Sequence, residues 1–337
     1  MLSNFKNTLW KKMIKGIEDR RHVFLTTHER PVSRSSFGKF TKKAKLPPCA
    51  VVIQGPLALD FDFTVETVKI YKETFPGASL IVSTWKGENK EALERLKNLG
   101  CVIVENEKPK NPGWGNINMQ IVTSSAGVRK AKELGAQYAF KTRTDQRVYA
   151  TDVYPYFLSL LKTFPPKNPR QKGRLIGSSF NTFKYRPYSV SDTFLFGPIE
   201  DMLLFWDTEL DERVGIPNYV KNNLLDWVKQ RPPEIYLVAK YLEKLGRTIE
   251  MTLADSWKAC GDYFCIIDQK SVDIFFLKYE RELEYRRAHY DGSYLDEELY
   301  FKDWLLLHDG FFTDKDASLV PVEKEFATKF DLKYDER

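Results

Sequence analysis

Residues 141–147 read KTRTDQR and set Lys141, Arg143 and Arg147 around one carboxylate, Asp145. The apolar run Tyr138-Ala139-Phe140 leads into them. Three cations about one acid suit a phosphate group, a divalent metal, or a salt-bridge network with no ligand. Mg²⁺ and Mn²⁺ are held by one or two carboxylates together with substrate phosphate oxygens. Arginine grips phosphate through two parallel N–H bonds. A second cluster, NPGWGNINMQ, places Asn116, Asn118 and Gln120 at the start of a helix, behind a glycine-rich loop with Trp114. A helix N-terminus attracts anions, and side-chain amides read the edges of nucleobases and sugars. Asn116 alone reads as an N-cap. Two further acids stand apart. Asp192 precedes a strand in YSVSDTFLFG, and Glu234 lies in the first turn of a helix in RPPEIYL. The helix dipole favours a carboxylate in that turn, and the same field keeps a general base ionised.

Other chemistries are excluded by their motifs. GxGxxG, GxxxxGK[ST] and GxSxG are absent, which disfavours a dinucleotide fold, a P-loop and a hydrolase elbow. The four cysteines, Cys49, Cys101, Cys260 and Cys265, form no CxxC pair, and the four histidines are scattered. Buried thiols are expected in place of a disulfide framework or a zinc site.

The elements that must carry these residues are regular from residue 48. CAVVIQ, ASLIVSTW, CVIVEN and AQYAFKTRTD read as strands. FTVETVKIYKETF, NKEALERLKN and NINMQIVTSSAGVRKAKE alternate with them as helices, the last two stopped by Gly100 and Gly135. This alternation predicts an α/β fold, a mainly parallel sheet sandwiched by helices. Ligands bind beyond the carboxyl ends of such strands. That rule puts Gln54-Gly55-Pro56, Ser83-Thr84-Trp85 and Arg143-Thr144-Asp145 on one rim. Further on, DVYPYFLSLLKTF is a helix, RLIGSSFN a strand, YSVSDTFLFGPIEDMLLFW a strand entering a helix, and PPEIYLVAKYLEKLG a helix.

The 337 residues suffice for one large domain with extensions, and 42% hydrophobic against 29% charged residues describes a globular protein. The net charge of +6 is uneven, because residues 1–47 hold twelve Lys/Arg and three Asp/Glu. In that arm Leu2, Phe5, Leu9, Met13 and Ile17 recur at helical spacing, widened by Trp10 and Ile14, with Lys6, Lys11, Lys12 and Lys15 off the stripe. A helix of this kind lies on an anionic membrane or packs on protein. Residues 26–47 read as a linker. No apolar run is long enough to span a bilayer. The expected location is cytoplasmic, peripheral on the inner face of the membrane through residues 1–22. Without a domain-wide basic patch, no nucleic-acid partner is expected.

In chain order, VVIQGP, FPGASLIVSTW, NINMQIVTSSAGVRKA, FKTRTDQR, SDTFLFG and PPEIYL resemble the WavE lipopolysaccharide-synthesis family, over roughly residues 48–250. The resemblance implies a GT-A-like glycosyltransferase core at 48–268, with a nucleotide-binding half at 48–150 and an acceptor half at 151–268. The basic arm, 1–47, and an aromatic and charged extension, 269–337, lie outside it. It implies a nucleotide-sugar donor and a glycan or glycolipid acceptor of lipopolysaccharide or capsule. Donor contacts are then expected from Gln54, Gly55, Pro56, Thr84, Trp85, Asn116, Asn118, Gln120, Lys141, Arg143, Asp145 and Arg147. GT-A enzymes usually carry DxD where this chain reads Arg143-Thr144-Asp145. Asp145 keeps the position of the direct ligand for Mn²⁺ or Mg²⁺, with His308 as a further metal ligand, and Arg143 replaces the first acid. The implied reaction is an inverting single displacement with Glu234 as base and Asp192 as its competitor, the departing diphosphate being stabilised by metal, by Arg143, or by both. A nucleotidyl- or sugar-phosphate transferase and a non-catalytic scaffold are the alternative readings.

Overall fold

The computed structural model describes residues 2–21, 29–36, 46–214, 224–277 and 297–320. Much of the expected linker, most of the extension at 269–337, and His22, His28 and His289 lie outside the described residues. The chain forms two compact units, Met1–Val32 and Ser33–Arg337. The first holds helix α1 (Leu2–Arg21), where Leu9, Trp10 and Met13 are exposed together with Lys11, Lys12 and Lys15.

In the second unit β1 (Cys49–Gln54) is buried along its whole length. A strand covered on both faces needs an unbroken apolar run, and CAVVI supplies it. β1 pairs in parallel with β2 (Ser79–Trp85) on one side and with β4 (Tyr138–Arg143) on the other, and β2 pairs in parallel with β3 (Val102–Asn106). Beyond β4 lie β7 (Leu195–Pro198), β6 (Leu175–Ser178) and β8 (Phe264–Ile267), completing the order β3-β2-β1-β4-β7-β6-β8. The sheet is mainly parallel, as expected, but β7 runs against both its neighbours. No helix lies between β6 and β7. Without a crossover the chain can only return antiparallel.

Helix α4 (Ile117–Glu133) crosses one face of the sheet so closely that a Cβ on Gly127 would come within 2.3 Å of Val52 Cγ1. Next to it is α6 (Ile199–Trp206), and α8 (Pro233–Lys244) packs on α6. The opposite face is covered by α2 (Phe63–Thr74) and α5 (Val153–Thr163), whose Tyr71, Phe75 and Phe157 rings pack on Phe140 of β4. Side chains alternate along a strand, so Lys141 and Arg143 share the α4 face while Phe140 and Thr142 share the other. Helix α3 (Lys90–Asn98) flanks α2, and α7 (Leu224–Lys229) leads into α8. Past the tip of β4, β5 (Gln146–Val148) pairs with β9 (Ile274–Phe276), fastening the start of the expected extension to the core. Helix α9 (Leu253–Tyr263) feeds β8, and α10 (Phe301–His308) packs on both, followed by the short α11 (Asp314–Ser318).

Candidate active site

The strand register aligns Gln54 with Ser83 and with Arg143, so the ends of three parallel strands form one ledge. Arg143 donates from Nε and an Nη to the two oxygens of Asp145 at 2.9 and 3.0 Å, and its guanidinium also lies 5.0 Å from the centre of the Phe276 ring. Both side chains keep about a quarter of their surface, 27% and 23%. The pair is therefore preformed and within reach of a ligand. Thr144 between them bonds back to the ledge. Its N–H donates to Gln54 O at 3.0 Å and its hydroxyl to Pro56 O at 2.5 Å. Gly55 adopts φ +117°, and a Cβ there would meet the Thr144 hydroxyl at 3.0 Å, so this turn has room for glycine only.

Lys141 and Arg147 have tasks that sequence does not reveal. Lys141 is fully buried, stacked 4.3 Å over the Trp206 ring, and donates to the backbone carbonyl of Asp192 at 2.6 Å. Burial, opposed by the nearby charge of Asp192, brings its amine down to about 7. Arg147 faces α2. It donates to Thr67 Oγ1 at 2.9 Å, the Tyr149 hydroxyl at 2.8 Å and Phe63 O at 3.0 Å, and is fully buried. This placement makes it a structural tie between β5 and α2 and removes it from the ledge, contrary to the donor contact expected from sequence.

Just before β7, beside the carboxyl end of β4, Asp192 is 3% exposed, and its Oδ2 has no hydrogen-bond partner among the described residues. Glu234 occupies the first turn of α8, half-buried. Its carboxyl is pushed up to about 7, first by burial and then by the charge of Asp192, against the pull of its own backbone N–H and of Arg186. Glu234, Asp192, Lys141, Arg143 and Asp145 thus form one continuous electrostatic cluster. Two acids from distant segments meet here, one of them near neutrality.

The glycine-rich loop abuts the start of α8, since a Cβ on Gly115 would come within 2.8 Å of Pro233. Its amides divide. Asn116 is exposed at the N-cap position in a left-handed conformation, and its side chain makes no capping bond. Asn118 is buried and donates to Asn111 O and Asp211 O, at 3.0 and 2.8 Å, while accepting from the Asp211 N–H at 2.7 Å. It clamps the loop and offers nothing outward. Gln120 is half-buried, and its Oε1 has no hydrogen-bond partner among the described residues. Gln54 and Thr84 are buried too. The first accepts from Thr123 Oγ1 at 2.7 Å, and the hydroxyl of the second has no partner among the described residues. Trp85 is 4% exposed.

Sequence reading passed over Asp211 and Arg213. The Asp211 carboxylate accepts the Trp114 N–H at 3.3 Å and pairs with Arg213, which lies 4.8 Å over the Trp114 ring. They lie in a stretch without periodicity, where no signal marks them.

His308 does not join this cluster. Trp304, one turn earlier on α10, donates to Phe264 O at the first residue of β8, while the start of α10 bonds to Asp268 just past the end of β8. His308 therefore sits at the amino ends of the strands, beside Phe164 and Asp309, opposite the ledge. That corrects its expected metal role. Among the described residues no group of three His, Cys, Asp or Glu side chains is arranged to hold a metal, and both oxygens of Asp145 are engaged by Arg143. The described residues do not fit a metal site.

The family profile described as WavE lipopolysaccharide synthesis matches residues 49–244, more than half of the chain and all of the ledge and both acids. The chain belongs to the WavE lipopolysaccharide synthesis family. Its fold is a helix-covered, mainly parallel sheet. No curated protein matches the chain. Among solved structures, a cytidylyltransferase from Leptospira borgpetersenii aligns with 11% identity and a TM-score of 0.30, over 49% of this chain and 66% of that one, just under two thirds. Glucosyl-3-phosphoglycerate synthase from Mycobacterium tuberculosis, solved with Mn²⁺, uridine diphosphate and phosphoglyceric acid, aligns with 15% identity and a TM-score of 0.29, over 60% of this chain and 80% of that one. Likenesses of this degree carry no argument about the reaction of this family member.

Proposed function

We propose that the protein is a glycosyltransferase that moves a sugar from a nucleotide-sugar donor to a bacterial surface-glycan acceptor, lipopolysaccharide or capsule, by an inverting single displacement. The observation that carries this reading is the arrangement of one partly exposed arginine–carboxylate pair on the strand-end ledge and an acid held near neutrality at the start of α8, coupled to the ledge through Asp192. Glu234 removes the proton from the acceptor hydroxyl as that oxygen attacks the anomeric carbon. A base with a pKa close to the working pH is suited to this transfer. Arg143 turns toward the donor diphosphate and stabilises the charge that grows on the leaving group. Asp145 holds the guanidinium in position until then. No step is routed through a metal, because the described residues do not fit one. Asp192 raises the basicity of Glu234 through its charge.

The basic arm supports a second element of the reading, peripheral binding to the anionic inner face of the membrane. Exposed Leu9, Trp10 and Met13 beside Lys11, Lys12 and Lys15 suit an interface of lipid and water. Among the described residues no helix is long and apolar enough to cross a membrane.

The test is a thermal-shift panel of nucleotide sugars, each with Mn²⁺ and with chelator, followed by product analysis. A ligand at 100 times its Kd stabilises by about 2.7 kcal/mol. Free nucleoside diphosphate as product is expected. Release of pyrophosphate instead would make the enzyme a nucleotidyltransferase, and silence across all activated sugars would leave a scaffold.

A further inference from the structure

Three segments far apart in the sequence meet at one guanidinium. Arg213 donates from Nε to Asp211 Oδ1 and from one Nη to Asp211 Oδ2, both at 2.8 Å. The same Nη donates to Arg231 O at 2.9 Å, and the other Nη donates to Gln230 O. One side chain thus holds two carbonyls of the turn that leads from α7 into α8. Its guanidinium lies over the Trp114 ring of the glycine-rich loop and 5.7 Å from the centre of the Tyr236 ring of α8.

The acid of the pair is committed in the same direction. Asp211 is 4% exposed and accepts the backbone N–H groups of Trp114 and Arg213, at 3.3 and 3.0 Å. Asn111, at the entry to the glycine-rich loop, donates to the carbonyls of Glu212 and Arg213, each at 3.1 Å. Burial would raise the Asp211 carboxyl, but the hydrogen bonds and charge of Arg213 bring it below its usual range, so the pair stays ionised. A buried charge that loses its partner is strongly destabilised, which makes such a pair an effective lock.

The turn that Arg213 holds is strained. Arg231 has φ +52°, a left-handed conformation that is costly for a residue with a side chain. Strain of this kind persists where the surroundings over-determine it. Here the Arg231 N–H donates to Val228 O at 2.8 Å, its side chain donates to Glu243 at 2.7 Å, and its carbonyl is held by Arg213. Three residues further on stands Glu234, and between them Pro233 is pressed by Gly115.

We infer that the Asp211–Arg213 pair is a positioning device that locks the glycine-rich loop to the start of α8 and thereby fixes the carboxylate of Glu234 where it meets the acceptor hydroxyl. The inference rests on the transferase reading above, with Glu234 as base, and adds the residues that place that base. The pair touches no reacting atom and acts through the turn at Arg231. A base must stand within hydrogen-bond reach of the proton it takes, and a displacement of about 1 Å caused by a distant substitution costs about a hundredfold in rate.

Two substitutions test it. Arg213→Met removes the guanidinium, and Arg213→Lys keeps a charge beside Asp211 without the planar fork. Turnover is read as nucleoside diphosphate released from UDP-glucose, UDP-galactose, GDP-mannose and dTDP-rhamnose, with purified lipopolysaccharide as acceptor. Affinity for UDP, GDP and dTDP is read by calorimetry, and melting temperature alongside. The expected result for Arg213→Met is a fall of roughly tenfold to a hundredfold in kcat, with nucleoside-diphosphate affinity within about twofold of the original. The acidic limb of its pH profile moves to lower pH, because burial and the charge of Asp192 raise Glu234 against the pull of Arg186, and a loosened Glu234 returns toward the ordinary carboxylate range. Arg213→Lys shows the same pattern with a smaller loss, and it carries the test if Arg213→Met melts below the assay temperature. Unchanged kcat in the folded variant overturns the positioning role. A fall in kcat with the acidic limb unmoved, or with an equal loss of affinity, overturns it also, because the pair would then serve only the stability of the loop. If Glu234→Gln is as active as the original protein, the base is misassigned and the role falls with it, whereas an original protein that consumes no nucleotide sugar overturns the transferase reading itself.

Discussion

Arg143 holds both oxygens of Asp145 in a two-bond fork at 2.9 and 3.0 Å, on the strand-end ledge and open to a ligand. Asp145 is thus an acid already satisfied by its own cation. Under the proposed function, a donor diphosphate would be met by a guanidinium that must exchange one anion for another.

Replacing Arg143 by Ala is expected to weaken nucleoside-diphosphate binding by about tenfold to a hundredfold, since bonds to charged groups contribute about 1.5–3 kcal/mol each. Arg143→Lys should recover only part, because an ammonium lacks the planar fork. Calorimetry in chelator is the measurement, and wild-type affinity is expected to survive the chelator.

Glu234→Gln should lower single-turnover transfer by roughly 100- to 10,000-fold while leaving donor affinity in place. If Asp192→Asn gives that loss and Glu234→Gln does not, the base has been assigned to the wrong acid.

The pH profile has a definite sign. As the proposed base Glu234 works deprotonated, and its pKa is raised to about 7, so kcat should climb through neutrality and level off above it. The charge of Asp192 contributes to that raise, so Asp192→Asn should move the acidic limb to lower pH. The same raised pKa means that folding stability attributable to Glu234 is fully present below its unfolded value and declines as pH rises through about 7.

Arg147→Met tests a structural role against a binding one. The variant removes one donor from the buried Phe63 carbonyl, which keeps the Thr67 hydroxyl at 2.7 Å, and breaks the bonds to Thr67 and Tyr149, an expected cost of about 2 kcal/mol in urea unfolding. Donor affinity of the folded fraction should not change. A selective loss of affinity would return Arg147 to the donor site.

Removing residues 1–22 should abolish co-flotation with anionic vesicles. Replacing Lys11, Lys12 and Lys15 by Gln should weaken it in steps of about 1 kcal/mol per charge. Binding that persists without the arm would place the membrane contact elsewhere.

How far the sequence could be read follows from the range of the forces involved. The strands CAVVIQ, SLIVSTW and YAFKTR declared themselves because a strand buried on both faces needs a continuous apolar run, a local property of the chain. The helix stops at Gly100 and Gly135 are equally local. Alternation of the two element types then fixed a covered parallel sheet, and with it the rim where Arg143 and Asp145 stand. Tertiary structure decided what each charged side chain meets. Arg143 and Arg147 lie four residues apart, yet one opens on the ledge and the other is enclosed by Thr67, Phe63 and Tyr149, because packing of α2 decides which is covered. Asp192 and Glu234 come into electrostatic contact only because β7 returns antiparallel and α8 folds over the glycine-rich loop. His308, plausible as a ligand by its chemistry, is carried to the far ends of the strands by the direction of α10. Apolar pattern is written residue by residue, whereas the partner of a charge depends on register, strand direction and helix placement, which long-range packing alone sets.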